Sequence, residues 1–253
     1  MYLWRRPATQ VWLRENETQL RAQVGDQLAI IELPNRKQFQ LEVASRSRTK
    51  LQSLAEQFGG RIEKLPRDWL KRALRRKTKP LRVGNKKLNI PAGTAFGTGE
   101  HATTAMSLRM LEKLVRDWRR AWSIVDLGTG SGILALAAKC MGAKCAIGID
   151  SDLTAISTAK ENARLNKISG VRFQVADGCD WKFPRGVDVV IANLFSELLI
   201  KVAPKLRLAH WLILSGILRS QEDDVRRALS RHKIDIVEAR RHGKWVAILA
   251  RRR

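Results

Sequence analysis

Apolar and polar residues alternate in two different ways along the chain, and the change comes after Pro91. Before it the apolar runs are short and interrupted. Leu28-Ala29-Ile30-Ile31-Glu32-Leu33 and Gln38-Phe39-Gln40-Leu41-Glu42-Val43 read as strands joined at the turn-forming Pro34-Asn35. Leu51, Leu54, Ala55 and Phe58 then recur at three- and four-residue spacing, and Gly59-Gly60 stops that helix. Residues 1–60 therefore predict a small α/β lobe with a partial strand-helix-strand pattern. Between Arg61 and Lys87 twelve Lys or Arg face two acids, while Trp69, Leu70, Ala73 and Leu74 supply one apolar face. That predicts a basic linker helix and connector over residues 61–90.

After Pro91 continuous apolar strands alternate with helices. Ile124 to Leu127, Cys145 to Ile149, Val171 to Val175, Val187 to Ala192 and Trp211 to Leu214 read as strands. Ile133 to Met141, Leu153 to Leu165 and Glu197 to Leu206 read as helices, with another beginning near His101. Such alternation predicts a parallel sheet covered on both faces. Ile234 to Val237 and Trp245 to Ala250, separated by Arg240-Arg241-His242-Gly243, add a hairpin. The expected fold is α/β, a doubly wound sheet over residues 91–253 closed by an antiparallel final strand.

Composition narrows the class. With 253 residues, 44% hydrophobic and 28% charged, the chain is long enough for one large domain and a smaller lobe. No apolar run approaches the ~18 residues of a spanning helix, and Met1-Tyr2-Leu3-Trp4-Arg5-Arg6 lacks the apolar block of a signal peptide, so a cytoplasmic protein is expected. Cys140, Cys145 and Cys179 form no Cys-x-x-Cys pair and have no histidine at ligand spacing, which predicts three core residues and no metal site. The formal net charge of +24 suggests an anionic partner such as RNA and leaves open a contact through the basic linker.

The candidate chemistry lies at the carboxyl ends of the predicted strands, where ligands bind in open parallel sheets. Gly128, Gly130 and Gly132 form a turn between a buried strand and a helix, and Asp150 ends the next strand 22 residues after Gly128. A carboxylate there can accept both vicinal ribose hydroxyls. The dinucleotide fingerprint Gly-x-Gly-x-x-Gly is not met, because position 133 is Ile. The spacing instead favours a nucleoside without a pyrophosphate, as in S-adenosyl-L-methionine. Asp177, after the third strand, is a candidate partner for the adenine amino group. Asn193, ending the fourth, would face the reactive part of the cofactor. Pro91 to Thr104 is a glycine- and threonine-rich loop suited to a lid, in which His101 is expected to start a helix and not to shuttle protons.

Ala95-Phe96-Gly97-Thr98-Gly99-Glu100-His101-Ala102-Thr103-Thr104, followed by Asp126-Leu127-Gly128-Thr129-Gly130-Ser131-Gly132-Ile133-Leu134-Ala135, resembles the ribosomal protein L11 methyltransferase family. Ile147-Gly148-Ile149-Asp150, Ala192-Asn193-Leu194 and Leu214-Ser215-Gly216-Ile217-Leu218 extend the resemblance to about residue 220. It implies a Rossmann-like, seven-stranded methyltransferase sheet and methylation of lysine and terminal amines of that large-subunit ribosomal protein, by a monomer. It puts Thr104, Gly128, Asp150 and Asn193 on cofactor contacts and Phe96 on the active-site lid. Relatives carry a ferredoxin-like, acidic-to-neutral recognition lobe at the amino end, whereas residues 1–60 are basic. The substrate therefore stays open to two alternatives, a nucleic-acid methyltransferase and a non-catalytic RNA-binding assembly factor. Asn193-Leu194-Phe195-Ser196 lacks the Asn-Pro-Pro-aromatic sequence of many exocyclic-amine nucleic-acid methylases, and the intact glycines with Asp150 argue for retained cofactor binding.

Overall fold

The computed structural model describes residues 1–32, 38–45, 47–66, 80–84, 86–91, 99, 101–184 and 186–253. The chain divides into two compact units, Met1–Ala73 and Leu74–Arg253.

The first unit runs β1 (Tyr2–Thr9), α1 (Gln10–Val24), β2 (Leu28–Glu32), β3 (Gln38–Ser45), α2 (Arg48–Phe58) and β4 (Arg61–Lys64). Its antiparallel sheet has the order β2-β3-β1-β4. The partial pattern expected from the sequence is thus a complete βαββαβ unit, and β4 occupies residues read as the start of the linker. Two side-chain caps begin its helices, with Thr9 accepting from Trp12 N and Ser47 from Lys50 N. Trp4, Leu20, Leu41, Leu51 and Leu54 form a core without solvent access, and Trp4 Nε1 donates to Gly59 O at 2.8 Å. β1 was hidden in the sequence by Arg5-Arg6-Pro7. The pleat explains it, since Arg5 points away from the core to ion pairs with Glu42 (2.8 Å) and Glu63 (2.9 Å). Arg6, on the side of Trp4, stacks 3.6 Å from the Trp12 ring.

The second unit begins with a hairpin, β5 (Leu81–Val83) and β6 (Lys86–Leu88), and continues α3 (Ala102–Val115), β7 (Ser123–Leu127), α4 (Ile133–Cys140), β8 (Cys145–Asp150) and α5 (Leu153–Leu165). It ends β9 (Val171–Val175), β10 (Val187–Asn193), α6 (Ser196–Leu206), β11 (Ala209–Leu218), α7 (Glu222–Arg231), β12 (Ile234–His242) and β13 (Trp245–Arg252). The seven-stranded sheet has the order β12-β13-β11-β10-β7-β8-β9. Pairs from β11 to β9 are parallel, and β13 is antiparallel to both β11 and β12. This is the doubly wound sheet expected from the apolar runs.

Side chains alternate across the sheet, so each face has its own core. Ile124, Val189 and Ile213 pack with Met110, Leu111 and Leu136 from α3 and α4. Val125, Leu127, Val190 and Leu214 pack with Leu199, Val202 and Leu229 from α6 and α7. Burial of these apolar surfaces is the main stabilising term, at roughly 25 cal/mol per Å² removed from water.

Several expectations are corrected. The stretch read as a connector contains β5 and β6, whose Val83 and Leu88 join the core. β11 extends to Leu218, with a pairing irregularity between Leu214 and Ile217. α7 lay in an unassigned stretch, where Glu222, Asp223 and Asp224 suit the positive end of a helix. The cysteines are not three core residues, because Cys145 is exposed and Cys140 and Cys179 are half-buried. Trp69 to Lys79, with the expected linker helix, and the lid residues Phe96 and Thr98 lie outside the described residues. Among the described residues no helix is long and apolar enough to cross a membrane, and no group of three or more His, Cys, Asp or Glu could hold a metal ion.

Candidate active site

The carboxyl ends of β7, β8 and β10 open on one crevice of about 540 Å³, whose lining includes Gly128, Asp150, Asp177, Asn193, Phe195 and Trp245. That volume falls in the range of small-molecule sites. The parallel order of the strands creates it, because connections leave β7 and β10 toward opposite faces of the sheet.

The glycine turn is fastened from beneath by Asp126, which the sequence presented as a mere flank of the loop. Its side chain is fully buried. Asp126 Oδ2 accepts from Thr129 Oγ1 at 2.7 Å and from Ala135 N at 3.2 Å, tying the turn to the first turn of α4. Thr129 N donates to Ile149 O at 2.9 Å, and Asn162 Nδ2 to Ser131 O at 2.8 Å. Burial pushes the Asp126 carboxyl up to about 7, against the pull of the Thr129 and Ala135 hydrogen bonds. Its Oδ1 is buried without a hydrogen-bond partner in the described structure.

Asp150 stands beside the turn. Its Oδ2 accepts from Gly130 N at 2.9 Å and its Oδ1 from Asp152 N at 3.0 Å. One backbone donor on each oxygen fixes the carboxylate plane and leaves acceptor capacity on both oxygens. Asp177 is set by Cys179 N, 2.7 Å from its Oδ1. That backbone bond, against the opposing effect of burial, holds its carboxyl below the usual carboxylate range, so it is an ionised acceptor at neutral pH. β9 is linked to β8 through Ala176 N, which donates to Asp150 O at 2.9 Å.

Asn193 ends β10, opposite Ser215 of β11 in the parallel register. Leu194 N donates to Ser215 O at 3.0 Å. Gly216 has φ +85°, and a Cβ there would run into the Leu194 carbonyl; Gly128 has φ +68°, and a Cβ there would strike the Leu194 side chain. Only glycine takes those backbone angles without strain and allows this approach. The two glycines thus seat the Asn193-Leu194 peptide at the crevice floor. The Asn193 carboxamide is itself held, its Oδ1 accepting from Ser215 Oγ at 3.0 Å and its Nδ2 donating to Thr104 Oγ1 at 3.3 Å.

Thr104, fully buried in α3, therefore meets Asn193 from behind and does not line the crevice. His101 is the N-cap of α3, its Nδ1 accepting from Thr103 N at 3.4 Å and lying 2.7 Å from Thr103 Oγ1. The helix-starting role expected for it is the one observed. Its ring also meets Trp245 edge to face, centroids 5.2 Å apart, on the crevice wall. Trp245 and Phe195, the latter 70% exposed at the mouth, were not singled out in the sequence. An aromatic directly after Asn193-Leu194 was the available signal for Phe195.

The residues fit an S-adenosyl-L-methionine molecule. Gly128 and Gly130 leave a side-chain-free wall, Asp150 and Asp177 present acceptors at two depths, and nothing lies within 4 Å of where a Cβ would stand on Gly178. These are the requirements of a ribose, an adenine edge and a flat base approaching backbone.

Comparison with known proteins identifies the family and the fold. A family model described as ribosomal protein L11 methyltransferase (PrmA) matches residues 9–253. The ribosomal protein L11 methyltransferase of Heliobacterium modesticaldum is 36% identical over 173 residues, 65% of this chain and 52% of that one. That of Pelobacter propionicus is 36% identical over 201 residues, 69% of this chain and 63% of that one. The aligned region thus spans between half and two thirds of these relatives' length. The solved ribosomal protein L11 methylase from Lactobacillus delbrueckii subsp. bulgaricus superposes with a TM-score of 0.61 at 29% identity, covering 70% of this chain and 91% of that one. The magnesium protoporphyrin IX methyltransferase of Synechocystis, solved with bound SAM, shares the fold with a TM-score of 0.50 at 21% identity, covering 59% and 79%. On the family match over nearly its whole length, the chain belongs to the ribosomal protein L11 methyltransferase family.

Proposed function

We propose that the protein is an S-adenosyl-L-methionine-dependent N-methyltransferase that methylates lysine and terminal amines of ribosomal protein L11. The observation that carries this reading is the pairing, in one crevice, of a carboxylate with acceptor capacity on both oxygens, Asp150, and an amide held in one orientation, Asn193. The named activity of the family relatives supplies the acceptor.

In this reading Asp150 takes the ribose hydroxyls, Asp177 the adenine amino group, and the backbone of Gly128 and Gly130 the methionine end. Phe96, outside the described residues, is assigned to the active-site lid by the family resemblance alone. When bound, the cofactor supplies an electrophilic methyl group on a sulfonium. The chain's own residues handle the amine. A lysine titrates near ~10.4, so the site must favour its neutral form. Phe195 and Trp245 give the mouth an apolar rim that disfavours the ammonium. The second lone pair of Asn193 Oδ1 accepts one hydrogen of the neutral amine and turns its lone pair inward. No side chain among the described crevice residues has to act as a general base, since the proton can leave to water before the amine enters.

Charge within the crevice supports an amine acceptor. Although the chain carries +24 overall, the crevice is lined by the carboxylates Asp150 and Asp177 and by no lysine or arginine among the described residues. A cationic lysine is thus attracted locally, even by a basic protein. The βαββαβ lobe is assigned to substrate recognition.

The test is transfer from methyl-labelled cofactor into a ribosomal extract, followed by protease or nuclease. Label lost to protease and retained after nuclease, in the band of protein L11, is expected. Label lost to nuclease would replace this reading with an RNA methyltransferase, and no label with an assembly factor.

A further inference from the structure

Ser107 and Ser215 are both fully buried, and neither lines the crevice. Buried hydroxyls cost free energy unless hydrogen-bonded, and alanine would pack there without that requirement. Their Oγ atoms are 2.6 Å apart, and Ser215 Oγ lies 3.0 Å from Asn193 Oδ1. The direction of this chain follows from proton counting. An amide oxygen has no hydrogen, so Ser215 donates to Asn193. Ser215 has one proton, so Ser107 must donate to Ser215. Asn193 in turn donates to Thr104, one turn before Ser107 on the same face of α3.

We propose that Ser215 and Ser107 are positioning residues for methyl transfer, a one-way hydroxyl relay that holds the Asn193 oxygen toward the acceptor amine. The proposal rests on the reading that Asn193 orients that amine. A carboxamide released from the relay can turn over and present its NH2 group, which has no lone pair to receive the amine hydrogen. Because α3 and β11 both contribute, the relay also ties the amide's orientation to the seating of α3 on the sheet.

The experiment is a cycle of steady-state kinetics on the full chain with S-adenosyl-L-methionine and L11, comparing Ser215→Ala, Ser107→Ala, Asn193→Ala and the Ser215→Ala/Asn193→Ala pair. Expected is a fall of about tenfold in kcat for Ser215→Ala, the size of one lost hydrogen bond, and a smaller fall for Ser107→Ala. Cofactor affinity by calorimetry should stay unchanged, Tm should fall by a few degrees because buried Ser107 loses its acceptor, and Ser215→Thr, which restores the hydroxyl, should recover most of both losses. The double variant should be no slower than Asn193→Ala alone, because Ser215 acts through Asn193. Additive losses, or an unimpaired Ser215→Ala beside an impaired Asn193→Ala, would overturn the relay alone. An unimpaired Asn193→Ala would overturn the reading of Asn193 and the relay with it. Should Ser215→Ala fail to fold, the Ser107→Ala/Asn193→Ala pair gives the same cycle from the far end of the relay.

Discussion

The two edges of the seven-stranded sheet are made from the same strands and have opposite economies of polar groups. At the amino ends, Asp188 Oδ2 accepts from Ser123 N at 2.8 Å and from Ser123 Oγ at 2.9 Å, while its Oδ1 accepts from Arg120 at 2.6 Å. Arg120 also stacks on Trp118, which meets Trp122 edge to face. That edge is closed by its own side chains. At the carboxyl ends, Asp150 and Asn193 line the crevice, are each fixed by neighbours and keep acceptor capacity, and beneath the turn Asp126 Oδ1 is buried without a hydrogen-bond partner among the described residues. A fold with one closed and one held-open edge concentrates its chemistry at the second, and buried polar groups with capacity to spare mark where a ligand belongs.

The sharpest way to break the comparison is to remove one carboxylate from each edge. Asp150→Ala should weaken S-adenosyl-L-methionine binding by on the order of 100-fold or more, through loss of charged hydrogen bonds to two hydroxyls. Equilibrium dialysis reads it, and unchanged affinity would remove Asp150 from the site. Asp188→Ala should leave that affinity alone and lower stability by about 1 to 3 kcal/mol in urea denaturation, because Ser123 loses its acceptor. Asp188 also has a depressed carboxyl pKa, in which burial opposes the stronger sum of the Arg120 and Ser123 bonds. Its stabilisation is therefore present above the ordinary carboxylate range and lost as pH falls through the folded pKa.

Gly216→Ala probes how the open edge is built. The added Cβ meets the Leu194 carbonyl at a positive φ, so the Asn193-Leu194 peptide must shift. A fall of about tenfold or more in kcat is expected, with cofactor affinity less affected. The smallest effect concerns Asp126. Its folded pKa of about 7 lies above the ordinary 3.8, so its contribution to stability is fully present below 3.8 and lost as pH rises toward about 7. Asp126→Asn, which keeps an acceptor for Thr129 and Ala135, should flatten Tm over that window by a few degrees relative to the native chain.

The open edge was more legible in the sequence than the frame around it. Apolar strands ending in Gly128, Asp150 and Asn193 announce themselves because strand, turn and ligand position share one short segment. Asp126 is also local, but its burial and orphaned oxygen depend on α4 packing over it, which no spacing records. Ser107 and Trp245 come from distant segments and carry no motif of their own, and Ser215, inside the Leu214-Ser215-Gly216 stretch, gives no sign in the sequence that it meets Asn193. In the first unit, β1 was concealed because Arg5 pairs with Glu42 and Glu63 and Arg6 stacks on Trp12, partners that only the folded lobe supplies. α1 shows few apolar residues, since Leu13, Leu20 and Val24 suffice to cover one side of a small sheet.

A calorimetric titration of the native chain with S-adenosyl-L-methionine, alongside one with NAD, tests the central claim most directly. The account predicts one saturable site for S-adenosyl-L-methionine and no heat of binding for NAD, whose pyrophosphate the Gly128 turn is not spaced to receive. Binding of NAD, or no binding of S-adenosyl-L-methionine at concentrations that saturate family relatives, would contradict it.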